Sequence, residues 1–447
     1  MPSDSGGHTD RQRLPQANLK LPAQVVHVLN VLSQAGYEAF LVGGCVRDTL
    51  LGRSVHDYDV ATNAHPEAVQ GLFTHVIPTG IGHGTVTVTD GHFPVEVTTY
   101  RIEADYSDGR HPDKVAYAER LSDDLLRRDF TINAVAMDGA GKLVDPLNGQ
   151  RDLHRRLIRA VGDPSERFSE DGLRIIRALR FAAQLGFTIE TSTHRAMTFE
   201  VLRLQAVSME RVGQELLKIA AGNWFVVLPD LALGPYLHST KQPLDRLQRA
   251  FAKVHRIVSS CPELGWERWR KIFGSDTDAL RAFPPAQWPG TPLFRPNLAA
   301  IALWMAHMTS QSTITALFRS LAWQKSFVST AVETARLLRA RPWTWSEFRW
   351  REALLESDLS ALYTASALAD WLKPTDRHTS CRIRLFDVFQ ETPLRSVREL
   401  AVSGHQLAAF GLVGPQIGIT IRKLVHAVIS EKVENSEDDL RRFLFHA

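Results

Sequence analysis

The sequence predicts an α+β protein in which a small α/β region is followed by an all-helical remainder. Three observations carry this. The apolar run Ala39-Phe40-Leu41-Val42 meets a Gly43-Gly44 turn and passes into a helical segment through Arg47 to Leu51. Thr85-Val86-Thr87-Val88-Thr89 and Val95-Glu96-Val97-Thr98-Thr99-Tyr100 alternate with period two around the turn pair Asp90-Gly91, which predicts a hairpin. Beyond Arg151 the spacing becomes helical, beginning with Asp171 to Phe181, and stays so to the C-terminus with interruptions at Pro and Gly. These textures place one boundary near Asn148-Gly149 and another near Gly222.

Taken in chain order, Met1-Pro2-Ser3-Asp4-Ser5-Gly6-Gly7-His8 has no apolar core and reads as a disordered leader. The polar, turn-rich stretch from Arg101 to Asp123 reads as a loop between two chemical motifs. All ten tryptophans fall in the helical half, and most are expected in its core. A formal net charge of +3 permits an acidic partner without requiring one. Cys45, Cys261 and Cys381 lie far apart with no Cys-x-x-Cys spacing, so neither a disulfide framework nor a zinc site is supported and a reducing, cytoplasmic home follows. No run approaches the roughly 18 apolar residues of a spanning helix, so no membrane partner is expected.

Leu41-Val42-Gly43-Gly44-Cys45-Val46-Arg47-Asp48 leads to His56-Asp57-Tyr58-Asp59-Val60. A strand that ends in two glycines and opens a helix lets backbone N–H groups approach phosphate oxygens, and Arg47, one turn in, adds a charge-assisted contact. Period two on a strand puts Asp57 and Asp59 on one face, where they can share hard cations of the Mg²⁺ type. Paired ions of that kind stabilise the attacking and leaving oxygens of phosphoryl transfer. Glu96, on the hairpin expected beside this strand, is a third carboxylate for the same site, or a strand residue facing water.

Arg127-Arg128-Asp129-Phe130-Thr131-Ile132-Asn133 joins two cations, a carboxylate and an amide. It can hold a ribose and a triphosphate together, or Asp129 can simply cap a helix with the arginines in solvent. In Glu170-Asp171-Gly172-Leu173-Arg174-Ile175-Ile176-Arg177-Ala178-Leu179-Arg180 a continuous helix makes Asp171 and Arg174 neighbours at i, i+3. Arg177 and Arg180 extend a basic stripe opposite an apolar side. A carboxylate beside a guanidinium offers an acceptor next to a donor, matching the amino group and adjacent ring nitrogen of both cytosine and adenine. Guanine and uracil present the reverse polarity and would leave buried groups unpaired. The alternative is an ordinary surface ion pair.

Together these motifs resemble the tRNA nucleotidyltransferases of the bacterial-eukaryotic class, in the polymerase-beta-like superfamily that includes the bacterial poly(A) polymerases. Leu41 to Thr62 resembles the family's metal and triphosphate motif, Arg127 to Ala134 its ribose motif and Glu170 to Arg180 its base-templating helix; Asp145-Pro146 with Gly149 and Arg151-Asp152-Leu153 resembles the connector, and Glu210-Arg211-Val212 the helix closing the neck. The resemblance implies a nucleotidyltransferase head built on a five-stranded mixed sheet and an elongated, all-helical neck, body and tail. The corresponding ranges are a leader over 1–22, head 23–149, neck 150–221, body 222–400 and a tRNA-binding tail 401–447.

The resemblance also implies roles. Asp57 and Asp59 hold metal, with two Mg²⁺ ions expected; Gly44 and Arg47 take the triphosphate, with Gly43 beside them; Arg128 and Asp129 take the ribose end, with Asn133 near. Asp171 and Arg174 read the base, with Arg177 and Arg180 supporting them and the phosphates, and Glu170 is a further candidate. The implied reaction is attack of the tRNA 3′-hydroxyl on the α-phosphate of CTP or ATP, adding C, C and A and releasing pyrophosphate. Thr79-Gly80-Ile81-Gly82-His83-Gly84-Thr85 resembles the form in CCA- and A-adding enzymes rather than the basic counterpart of poly(A) polymerases. The loop from Tyr106 to Tyr117 is complete, whereas enzymes adding only CC are shortened there. Addition of A alone stays open, as does an RNA-binding protein with an inert head, which intact Asp57 and Asp59 disfavour.

Overall fold

The computed structural model describes residues 21–90, 93–104, 114–237, 244–273, 296–308, 314, 317, 320–373 and 380–446. The expected leader, apart from Leu21 and Pro22, and most of the loop from Tyr106 to Tyr117 lie outside these residues. The chain divides into two compact units that meet between Ser208 and Met209, inside the stretch expected as a neck.

In the first unit helix α1 (Ala23–Gln34) precedes strand β1 (Ala39–Val42), helix α2 (Gly44–Leu50) and strand β2 (Asp59–Thr62). Helix α3 (Pro66–Leu72), strands β3 (Val76–Gly80), β4 (Thr85–Val88) and β5 (Val95–Thr99) follow, then the ribbon β6 (Arg101–Ala104) and β7 (Lys114–Tyr117). The sheet has seven strands in the order β3-β4-β5-β2-β1-β8-β9, where β8 is Ala136–Met137 and β9 is Leu143–Val144. It is mixed because β2 and β5 run parallel while the other pairs are antiparallel.

Seven strands replace the five expected, and β3 and β9 sit at the edges. Both are weakly marked in sequence: β3 is largely exposed and so lacks alternation, and β9 has two residues. The β4–β5 hairpin is as read, and its register sets Glu96 directly opposite Asp59 on β2. Alternation on β5 follows from one covered face: Val95, Val97 and Thr99 are buried and Glu96 is exposed.

Helices α4 (Leu121–Leu126), α5 (Gly149–His154), α6 (Pro164–Glu170), α7 (Leu173–Leu185) and α8 (Thr191–Phe199) complete the unit. Tyr100, Leu121, Leu125, Ala134, Ala136 and Val161 pack with Val42 and Ala61 of the central strands. That cluster holds β1 and β2, whose C-terminal and N-terminal ends carry the Gly-Gly turn and Asp59.

The second unit is helical, with long helices at Leu244–Ser260, Lys325–Arg339 and Leu359–Leu372. Its core includes edge-to-face tryptophans: Trp224 lies 5.2 Å from Trp269 and 5.8 Å from Trp304, and Trp269 lies 5.2 Å from Trp371. Trp323, Trp345 and Trp350 are buried as well, in line with the sequence expectation, while Trp288 lies outside the described residues. Toward the C-terminus Leu394, Leu407, Leu424, Val428 and Leu440 form a further apolar cluster. Among the described residues no helix is long and apolar enough to cross a membrane.

Candidate nucleotide-binding active site

Gly43 precedes α2 with φ of 74°, a left-handed conformation that favours glycine, and a side chain there would have no room. A Cβ on Gly43 would stand 3.1 Å from Arg128 Nη1 and 3.6 Å from Asp59 Oδ2, and one on Gly44 would stand 3.6 Å from Arg47 Nη2. The turn is thus bordered by the two arginines and the aspartate that the sequence assigns to nucleotide and metal. The first-turn N–H groups of α2 have no intrahelical acceptor. With seven residues α2 is too short for its dipole to dominate, so side-chain cations carry most of the attraction for phosphate.

Asp59 opens β2, whereas Asp57 lies just before the strand rather than on it, close enough for its charge to act on Asp59. Burial pushes the Asp59 carboxyl up to about 6; Glu96 and Asp57 add to the rise and Arg128 opposes it. No hydrogen bond or ion pair engages this carboxylate among the described residues. A partly desolvated carboxylate with acidic neighbours is a hard-oxygen donor set that suits a divalent cation. Among the described residues no three His, Cys, Asp or Glu side chains converge as a cation cage. The neighbouring Cys45 donates to the Val42 carbonyl, and burial raises its thiol to about 11, which leaves it inert as a nucleophile.

The arginines are held by a connected polar network. Arg47 donates to both oxygens of Asp48, at 3.0 and 2.8 Å, and to Asn133 Oδ1 at 2.7 Å. Asn133 in turn donates to Asp129 Oδ1 at 3.0 Å. The other oxygen of Asp129 accepts from Arg177 Nε at 2.9 Å and Nη2 at 2.6 Å. Burial alone would raise the Asp129 carboxyl, but Arg177 and Asn133 outweigh it and hold it down at about 2. Asp129 is not an exposed helix cap with its arginines in solvent: it is a buried ion-pair partner of Arg177.

Sequence reasoning passed over Asp124. It is 1% exposed, accepts from Arg127 at 2.9 and 2.6 Å and from Arg128 Nη2 at 3.0 Å, and these arginines keep its carboxyl below the usual range despite burial. The i, i+3 and i, i+4 spacing from Asp124 at the end of α4 was the available signal. The buried Nε of Arg128 has no hydrogen-bond partner among the described residues, an open donor beside the Gly43 turn.

The base-reading pair is arranged differently from the expectation. The helix is not continuous over 170–180: α6 ends at Glu170, Asp171 is extended, and α7 starts at Leu173. Asp171 accepts from the Leu173 amide at 2.9 Å, and Arg174 pairs with Glu170 while donating to the Arg167 and Arg127 carbonyls, each at 3.1 Å. A Cβ on Gly172 would lie 2.6 Å from the Arg203 carbonyl, so the chain must pass this point as glycine. Gly172→Ala is expected to cost roughly 1–3 kcal/mol of stability through overpacking. A denaturation midpoint equal to that of the parent would show that the contact yields freely.

Arg177 and Arg180 project from α7 onto the Phe181 ring, with guanidinium carbons 5.5 and 3.8 Å from its centroid. A mixed-sheet head with an Asp-x-Asp strand end, a Gly-Gly turn and converging arginines defines a nucleotidyltransferase of the polymerase-beta-like type. Residues 39–159 match the family described as Poly A polymerase head domain.

The CCA-adding enzyme of Levilactobacillus brevis is 36% identical over 92% of this chain and 95% of its own. That of Lactobacillus helveticus is 33% identical over 97% and 98%. The crystal structure of the Bacillus stearothermophilus CCA-adding enzyme in complex with CTP aligns with a TM-score of 0.76 at 27% identity, covering 96% of this chain and 98% of that one. The chain belongs to the CCA-adding enzyme family. Nucleotidyltransferases of this family use divalent metal ions.

Proposed function

We propose that this chain adds C, C and A in turn to the 3′ end of tRNA, without a nucleic-acid template, from CTP and ATP. The observation that carries the reading is the intact pair Asp57 and Asp59 beside the Gly43-Gly44 turn and Arg128, in a chain similar over nearly its whole length to CCA-adding enzymes. The 3′-hydroxyl oxygen of the tRNA bonds to the α-phosphorus, the bond to the bridging oxygen breaks, and pyrophosphate leaves. Mg²⁺, expected as two ions on Asp57 and Asp59, supplies neutralisation of the charge on the reacting oxygens. Glu96, opposite Asp59, adds negative potential to that site.

Arg47 and Arg128 orient the triphosphate, and the open Nε of Arg128 is available to an oxygen of the nucleotide. Asp129, Asn133 and Arg177 hold the ribose end through the network that joins them to Arg47. Asp171 accepts from the exocyclic amine of cytosine or adenine and Arg174 donates to the adjacent ring nitrogen. For this, Arg174 exchanges a bond to Glu170, Arg167 or Arg127 for one to the base. The neck, body and tail ranges 150–221, 222–400 and 401–447 serve as the base-reading element, helical support and tRNA-binding end. Three unpaired cysteines, two of them buried, support a cytoplasmic setting.

The deciding experiment supplies CTP, ATP or both to tRNA transcripts ending before CCA, after C and after CC. Full addition to each transcript is expected; extension only of the transcript ending in CC would assign addition of A alone. Replacing Asp171 by Ala is expected to lower the preference for CTP over UTP by roughly 1–3 kcal/mol, the cost of one buried unpaired polar group. A variant that merely slows at the parental ratio would place base selection elsewhere.

A further inference from the structure

Phe181 holds no assigned role in the reading above, yet three of the proposed nucleotide-binding cations meet on it. The guanidinium carbon of Arg180 lies 3.8 Å from the ring centroid, that of Arg47 5.1 Å and that of Arg177 5.5 Å. Arg47 comes from the helix after the Gly-Gly turn, and the other two come from α7, so one ring joins cations more than a hundred residues apart in the chain.

The ring itself is fixed. It is 3% exposed and packs edge-to-face on fully buried Phe130 at 5.6 Å, and Phe130 follows Asp129, the partner of Arg177. Guanidiniums repel one another and resist loss of water, so gathering them needs compensation. Asp48 and Asp129 supply part of it as anions. The ring face adds to it: its negative quadrupole attracts cations without a formal charge that would repel phosphate. A carboxylate in the same place would attract the arginines more strongly and also cancel the field that a nucleoside triphosphate needs.

We infer that Phe181 is a positioning residue for nucleotide binding, its buried ring holding the guanidiniums of Arg47, Arg177 and Arg180 together so that the triphosphate meets them already assembled. The inference rests on the nucleotide site proposed above and adds the means by which that site is organised. It predicts a loss in binding rather than in the chemical step, shared by CTP and ATP because phosphates and ribose are common to both.

The test uses the full-length protein with Phe181 replaced by mono-, di- and trifluorinated phenylalanines, which weaken the ring quadrupole while nearly conserving its shape. KM for CTP and for ATP should rise stepwise with fluorination, to about tenfold for the trifluorinated ring, while kcat changes less than KM. Phe181→Leu should show a loss of the same kind, and because the fluorinated proteins keep the packing, the test stands even where the Leu variant fails to fold. A KM that stays flat across the fluorinated series overturns the inference and leaves Phe181 as core packing. Arg47→Ala, measured alongside, separates the two levels. An unchanged KM in that variant overturns the nucleotide-site reading, whereas a raised KM with a flat fluorination series overturns the role of Phe181 alone.

Discussion

Asp57→Ala and Asp59→Ala are each expected to lower nucleotide addition by about a thousandfold or more, roughly 4 kcal/mol at the transition state, with tRNA binding close to that of the parent. Asp59 is the more informative of the two. Its carboxylate is desolvated, sits opposite Glu96 and has no hydrogen-bond or ion-pair partner among the described residues, so it does no structural work that would explain a lost activity. Removing a buried charge that faces other carboxylates should even relieve repulsion, and thermal stability is expected to hold or rise. Single-turnover addition of one C, a tRNA gel shift and a melting curve on the same preparation check all three statements. Turnover within tenfold of the parent in either variant would remove that residue from the catalytic pair.

For Asp129→Ala the largest effect should be on the fold. Its carboxylate is buried, accepts two bonds from Arg177, one from Asn133 and one from the Phe130 amide, and holds together segments 48 residues apart. Deleting it takes this anion from the part-exposed Arg177 and leaves the buried Asn133 amide and Phe130 N–H without their acceptor, a change that costs roughly 1–3 kcal/mol. The pH dependence has a definite sign. Its folded carboxyl is depressed to about 2, so the stabilisation is present above the ordinary carboxylate range and is lost as pH falls from there through about 2. The gap in unfolding free energy between parent and variant should therefore be wide at neutral pH and narrow toward pH 2. An equal gap at both ends would mean that the loss comes from packing and not from the ion pair.

Features governed by local rules were readable from the chain alone. A period-two pattern closed by Asp90-Gly91 specifies the β4–β5 hairpin, and an apolar run into two glycines specifies the β1–α2 turn. Asp124 was equally local, three and four residues from the arginines it binds, but its carboxylate resembles any acidic residue of a helix's first turns until burial is known. Edge strands β3 and β9 escaped because exposure or brevity leaves no alternation to detect.

The sequence by itself determined the α+β class and marked the Asp-x-Asp pair and the Gly-Gly turn with Arg47, because each depends on residues within a turn or a strand of one another. Which anion each arginine meets was decided by tertiary structure. Asp171 and Arg174 share i, i+3 spacing, yet Asp171 is extended between α6 and α7 and Arg174 pairs with Glu170. Asp129 finds Arg177, Arg47 finds Asn133, and Phe181 gathers its three cations across distances in sequence that no periodicity reports. Short-range order follows from backbone sterics and turn chemistry, which the chain carries locally. The pairing of buried charges follows from which surfaces the packed core brings together, and only the folded sheet and helices supply that.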